Sequence, residues 1–314
     1  MTSAEGRRIL VIKLGDFAEF VLAFGAFSAI RRHHADAHVI LLTTAPFAEL
    51  ARKSGWFDEV WDDGAPRWSR IGKVARLIRR LRRTRLDRVY DLDNSVRTAR
   101  YGLWVRDFWG NKAEWSRRES GLLARMRRSG KAREHYVEQL AGQLADAGIT
   151  EFPLPDLSWL TRQFGGRYGL QDGFVLIAPG PIEEGSSDYW PVAGFVELAR
   201  RVAIEGRRPV VIGLKSEAKT NQVIAAASPE ATDLTAKTTL FDVAALAKRA
   251  SVAVGNHSGI MHLIAAVGCP SVVLTSPAAE VHGHAPRGRY VVMVRNENLA
   301  ELSVTEVAAS LRLR

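Results

Sequence analysis

One segment constrains the fold of this chain more than any other. Val252-Ala253-Val254 is a short apolar β run, Gly255-Asn256-His257-Ser258-Gly259 a small polar turn, and Ile260–Val267 an apolar stretch of helical length. Gly268-Cys269-Pro270 then stops the helix in the usual Gly-then-Pro order, and Ser271–Leu274 returns to β. Asn256 or Ser258 supplies the N-cap. Strand, turn, helix and strand in that order make a βαβ unit, the building block of parallel sheets. A helix N-terminus just past a strand offers free N–H groups and the positive end of a dipole. The turn is therefore either a phosphate or nucleotide site at the carboxyl edge of the sheet or an ordinary crossover.

The same alternation fills the chain. Ile9–Ile12 reads as a strand followed by a helix to about Arg32, His38–Leu42 as a strand, Ala45–Ser54 as a helix and Val60-Trp61 as a short strand. Arg70–Arg85 reads as a basic helix, Arg88–Leu92 as a strand and His135–Ala147 as a helix ended by Gly148. Pro153, Pro155 and the polar stretch to Gly173 suggest a linker. A second series follows: strand Phe174–Ala178, helix Val192–Glu205, strand Pro209–Gly213, helices Glu217–Ala227 and Leu240–Ala250, then the segment above, strand Val291–Val294 and helix Val304–Leu311. The pattern predicts an α/β protein of two doubly wound domains facing a ligand cleft, residues 1–155 and 173–314, joined by 156–172.

Length and composition agree, since 314 residues, 46% of them hydrophobic, suffice for two cores. The one cysteine, Cys269, cannot form an internal disulfide, which suggests a reducing compartment. No apolar run approaches the roughly 18 residues of a membrane span, and no signal-peptide pattern precedes Ile9. The expectation is a cytoplasmic protein. Charge is uneven. Residues 1–155 hold 28 Lys+Arg against 19 Asp+Glu, the remainder 16 against 15, and residues 70–133 alone 20 against 6. A basic first half beside a nearly neutral second half implies an anionic partner for the first half. The arginines of 76–85 come without a recognisable nucleic-acid module, so nucleic acid is not the expected partner.

Several motifs then coincide: Ile9–Gly15 (Ile-Leu-Val-Ile-Lys-Leu-Gly), Val89–Leu92, His135–Gln139, Trp190-Pro191, Asp233-Leu234-Thr235 with Lys237-Thr238, and Val254–Leu263. In that order, over nearly the whole chain, they resemble the family 9 glycosyltransferases, the heptosyltransferases of lipopolysaccharide core assembly. The resemblance implies two Rossmann-like domains of the GT-B type. The N-terminal domain would bind the acceptor and the C-terminal domain a nucleotide-sugar, typically ADP-heptose. It implies inverting, metal-independent transfer, with no cofactor besides the nucleotide-sugar, to an anionic lipid-linked saccharide. Peripheral contact with the cytoplasmic face of the inner membrane would follow.

The motifs also depart from the family pattern. The family's catalytic Asp, after Gly, is replaced by Glu19 after Ala18, one methylene longer; Asp16, three residues earlier, competes as base. Asp93 stands where Gln is frequent and, with Arg97, is the candidate acceptor contact. In the loop 179–191, Asp188 occupies a lysine position, and Glu183 and Glu184 add charge. Like charges about 4 Å apart repel by roughly 4 kcal/mol at an effective dielectric near 20, so a diphosphate against this loop would be disfavoured. His257 replaces an Asp and could donate to phosphate. Asn256, Ser258, Gly259, His262, Lys237, Thr238, Glu217 and Asp188 complete the candidate donor set. His282 and His284 lack a third ligand and do not make a metal site. Several chemistry positions changed together leave two readings, a transferase with altered specificity or an impaired member that binds a glycan or a partner.

Overall fold

The computed structural model describes residues 6–106, 113–118, 134–163, 168–183, 185–226, 228–277 and 283–311. Glu184 and His282 lie outside the described residues. The chain forms two compact units, Met1–Pro153 and Leu154–Arg314. Among the described residues no helix is long and apolar enough to cross a membrane.

In the first unit, β1 (Arg8–Ile12), β2 (His38–Leu42), β3 (Glu59–Trp61), β4 (Arg88–Asp91) and β5 (Glu114–Ser116) form a sheet in the order β3-β2-β1-β4-β5. Every pairing is parallel. Helices α1 (Phe17–Leu22), α2 (Phe24–His33), α3 (Ala45–Lys53), α4 (Ile71–Arg83), α5 (Val96–Arg106) and α6 (Tyr136–Asp146) connect or cover the strands. The central strands are buried on both faces, which is why they read as unbroken apolar runs rather than as alternation. On one face Leu10, Ile12, Ile40, Leu42 and Val89 pack with Leu77 and Leu81 of α4 and Tyr101 of α5. Among the buried side chains of α1 and α2 are Phe20, Phe24 and Phe27, whose ring centroids are 5.5 Å apart pairwise. The single first helix expected from the sequence is thus two, separated at Ala23. Gly25, just beyond, admits the Pro153 carbonyl, which a Cβ there would meet at 2.2 Å.

The second unit repeats the scheme. β6 (Val175–Ile177), β7 (Pro209–Val211), β8 (Thr232–Asp233), β9 (Val252–Asn256), β10 (Ser271–Thr275) and β11 (Val291–Arg295) run parallel in the order β11-β10-β9-β6-β7-β8. Helices α7 (Val192–Ile204), α8 (Ala218–Ala225), α9 (Leu240–Arg249), α10 (Gly259–Val267) and α11 (Val304–Leu311) complete it. Residues 154–172, read from the sequence as largely linker, belong to this unit. Leu157, Leu160 and Leu170 are buried, the Leu157 N–H donates to the Ala266 carbonyl at 2.9 Å, and a 3₁₀ segment, Ser158–Gln163, packs on α9 and α10. Those leucines, scattered among polar residues, convert a polar-looking stretch into packed chain.

Both sheets reverse winding once, between β1 and β4 and between β6 and β9. Ligands of open α/β sheets bind outside the carboxyl ends of the strands at such switch points.

Candidate active site

At the first switch point β1 runs out at Ile12, and the next residue is a lysine with no solvent exposure. The Lys13 N–H donates to the Leu42 carbonyl and the Ile12 carbonyl accepts from the Leu92 N–H, so the lysine is locked between the ends of β2 and β4. Its Nζ lies 2.5 Å from Glu19 Oε2, 3.8 Å from Asp93 Oδ1 and 5.1 Å from the centre of the Tyr136 ring. A buried cation is tolerated only when paired. Burial alone would lower the Lys13 pKa. Tyr136 and the Glu19 and Asp93 carboxylates outweigh that and hold it above the ordinary lysine value. Burial lifts the Tyr136 phenol above its usual range against the pull of Lys13, and its hydroxyl donates to the Leu92 carbonyl.

Gly15 makes this arrangement possible, because a Cβ there would sit 2.8 Å from Lys13 Nζ and 2.5 Å from Glu19 Oε2. Glu19 is on the first turn of α1, and its side chain keeps 23% exposure beside its pair with Lys13. Asp16 does something else. It is the exposed N-cap of α1, its Oδ1 accepting from the Glu19 N–H at 2.9 Å, and it does not join the cluster. Asp93 accepts from the Leu14 N–H at 2.9 Å and faces Lys13. Arg97 lies apart, donating to the Pro66 carbonyl and stacking 5.0 Å from the Trp68 ring.

Asp91, at the end of β4, is fully buried, and its burial pushes the carboxyl up to about 6 despite the Thr98 hydroxyl, the Asn94 N–H and Arg117. The Asn94 N–H donates to Asp91 Oδ1, which holds Asn94 in the left-handed region (φ 51°) just after Asp93.

The second switch point is built on close backbone approach. Gly255 of β9 lies so near β6 that a Cβ would fall 1.9 Å from the Ala178 carbonyl oxygen. Gly180, with φ +70°, then turns beside Ser258, whose Cβ would be 3.1 Å from a Cβ at position 180. Ser258 is the N-cap residue of α10, and its Oγ is buried without a hydrogen-bond partner among the described residues. The first amides of α10, Gly259 among them, have no intrahelical acceptors. A buried hydroxyl, free amides and the positive end of a dipole therefore converge on the turn that the sequence marked.

The other candidate donor residues divide. Asn256 is a bracket rather than a ligand group: its Oδ1 accepts from the Trp190 N–H at 2.8 Å and its Nδ2 donates to the Trp190 carbonyl at 3.3 Å. The buried Trp190 ring donates in turn to the Leu302 carbonyl. His257 Nε2 lies 3.0 Å from the His284 carbonyl, which can only accept, so that nitrogen carries the proton. The same nitrogen is 3.3 Å from Nε2 of the buried His262, making the two histidines a packed pair beside the turn. Asp188 Oδ1 accepts from the Ser276 hydroxyl. Lys237 donates to the Asp233 carbonyl and Thr238 follows it in the loop after β8. Glu217, beyond β7, accepts from the Leu214 N–H, and burial raises its pKa.

The sequence reading did not single out Lys13 or Tyr136. An ionisable residue inside Ile-Leu-Val-Ile-Lys-Leu was the available signal for Lys13. Nothing local to Tyr136 tells that its ring closes over that lysine.

Known proteins match this picture. The sequence model of glycosyltransferase family 9 (heptosyltransferase) matches residues 74–309. Lipopolysaccharide heptosyltransferase 2 of Escherichia coli K12 is 29% identical over 232 residues, covering 67% of this chain and 65% of that protein's length. The crystal structure of the glycosyl transferase family 9 from Veillonella parvula superposes over 97% of this chain and 95% of its own, with a TM-score of 0.78 at 16% identity. The E. coli ADP-heptose lps heptosyltransferase II does so over 97% and 98%, with a TM-score of 0.72 at 21% identity. Two parallel sheets with flanking helices are thus the fold these structures share, the GT-B type. The matched region spans most of the chain and includes the whole second unit up to α11, and the chain belongs to glycosyltransferase family 9, the heptosyltransferase family.

Proposed function

We propose that this protein transfers a heptose or related sugar from a nucleotide-sugar, ADP-heptose, to an anionic lipid-linked saccharide of the lipopolysaccharide core type. The observation that carries the reading is the pair of switch-point sites: a half-open carboxylate held against a buried lysine in the first unit, and an anion-ready helix terminus in the second.

The chemistry follows from those parts. The acceptor hydroxyl oxygen attacks the anomeric carbon from the face opposite the diphosphate. The bond from that carbon to the diphosphate oxygen breaks, and ADP leaves with the electron pair. Glu19 takes the hydroxyl proton, a role worth roughly 10² to 10⁴ in rate. Lys13 holds Glu19 in place through their ion pair, and the partly exposed carboxylate is within reach of an acceptor hydroxyl. The Ser258 hydroxyl and the first amides of α10 receive the departing diphosphate, so no metal ion is required. Asp188 is turned to Ser276, and its acidic loop then need not face the diphosphate. The same reading places the protein at the cytoplasmic face of the inner membrane, in peripheral contact with it.

Calorimetric titration with ADP-heptose, ADP, UDP and GDP tests the donor half. Micromolar binding of ADP-heptose and ADP, weakened at least tenfold by Gly180→Val, is the expected result. Absence of heat with every nucleotide would refute it and favour a family member that only binds glycans or partners.

A further inference from the structure

Among the described residues, the basic helix α4 carries a charged surface that neither site uses. Helix α4 packs on the first sheet through Leu77 and Leu81. On its opposite face Arg76, Arg79 and Arg83 recur at three- and four-residue spacing, flanked by exposed Lys73 and Arg82. Arg67 and Arg70 extend the stripe into the preceding loop. None of these seven cations has an ion-pair partner among the described residues. Arg80, by contrast, pairs with Glu59 at 2.7 Å and stacks on Trp61, tying the helix down. Like charges at helical spacing repel, so an unpaired stripe of this length weakens the helix until an anionic surface meets it.

Apolar side chains stand beside the cations. Ile71, at the start of α4, is 77% exposed. On α5, which packs against α4, Val96 and Leu103 are 72% and 63% exposed and share a face with Arg100. Trp68 is 40% exposed and sits under two guanidiniums, Arg97 at 5.0 Å and Arg100 at 5.5 Å from its ring centre. An aromatic ring and aliphatic side chains set among arginines match the boundary between headgroups and acyl chains: cations take the phosphates while apolar groups enter beneath them. A nucleic-acid backbone would neutralise the arginines but offer nothing to Ile71, Val96 and Leu103.

We propose that the face made by α4, the 67–70 loop and the exposed side of α5 docks on an anionic phospholipid bilayer. This deepens the reading of a lipid-linked acceptor and rests on it for its purpose, but it needs only the first unit and no nucleotide.

The test is co-sedimentation of the whole protein with phosphatidylcholine vesicles, with and without phosphatidylglycerol, at rising salt. Expected is partition onto the phosphatidylglycerol vesicles alone, weakening with salt. Each exposed arginine near the surface contributes roughly a fivefold gain in partition, so Arg76→Gln/Arg79→Gln/Arg83→Gln together should lose about 100-fold. These side chains are exposed, and an unchanged circular dichroism spectrum will confirm folding. Leu103→Ser should weaken the binding that remains at high salt, and Trp68→Phe should abolish a vesicle-induced blue shift of emission. Equal partition onto both vesicle types, or full partition by the triple variant, would overturn the proposal. So would tight binding to duplex DNA without vesicle binding. ADP titration of the triple variant should match the parent, so failure of this surface and failure of the donor site read out separately.

Discussion

Replacing Lys13 by methionine removes the buried charge while keeping most of the volume. The two carboxylates attract the ammonium across 2.5 and 3.8 Å, gross terms of roughly 7 and 4 kcal/mol at an effective dielectric near 20. Desolvation of a buried ammonium takes back several kcal/mol. Glu19 is partly exposed and can turn to water, whereas Asp93, nearly buried, keeps only the Leu14 N–H among the described residues. The net loss should be about 3 kcal/mol at pH 7, the low end for breaking a buried pair from one side. The sign with pH follows from Lys13. Its folded pKa is raised, so its contribution is fully present below the unfolded value of about 10.4 and is lost only as pH rises beyond that. The deficit of Lys13→Met should therefore be flat from pH 7 to about 10 and shrink above. It should also resist salt, because the pair is buried. Urea unfolding followed by far-ultraviolet circular dichroism measures it, provided m is unchanged. A variant as stable as the parent at pH 7 would refute the claim that the pair is formed and buried.

Other expectations concern the same unit and the second. Burial pulls the His34 pKa down to about 4, so His34 favours the folded state above about 6.5 and that stability, up to about 3 kcal/mol, is lost as pH falls toward 4. Burial pushes Asp91 up to about 6, so its contribution has the opposite sign: stability falls, by up to about 3 kcal/mol, as pH rises from about 4 past 6. The two oppose each other between pH 4 and 6. Asp91→Asn should therefore show stability rising with pH there and His34→Gln stability falling, and parallel profiles in thermal melts would contradict both assignments. Gly255→Ala should destabilise the second unit by more than about 3 kcal/mol, since its Cβ would overlap the Ala178 carbonyl; a near-normal melting temperature would show that β6 and β9 can part.

Much of the fold was legible because both sheets are parallel and buried, so strands appear as apolar runs and helices as the intervals between them. Helix α5 was not legible: Val96-Arg97-Thr98-Ala99-Arg100-Tyr101 shows no clean apolar stripe, because its buried side there is carried by Thr98 and Tyr101, one of them polar. β5 and β8 are three and two residues long and show no periodicity at all. The strand order, and with it the switch points, is set by pairings such as Ile12 with Asp91 that no local pattern encodes. The site divided along the same line. The turn at Ser258 was visible because a strand-to-helix turn of small polar residues is a local device. Sequence could not choose between Glu19 and Asp16, and geometry separates them, since Asp16 caps the helix that carries Glu19 toward Lys13. Asn256 looked like a ligand group because short polar side chains in such turns bind either ligands or backbone, and only the fold shows the Trp190 peptide against it.

The central claim is that Glu19 accepts the acceptor's proton in a transfer from ADP-heptose. The most direct measurement is single-turnover transfer by Glu19→Gln beside calorimetric binding of ADP-heptose to the same variant. A rate at least roughly 100-fold lower with donor affinity unchanged is the predicted result. Transfer at the parent's rate by Glu19→Gln would contradict the account.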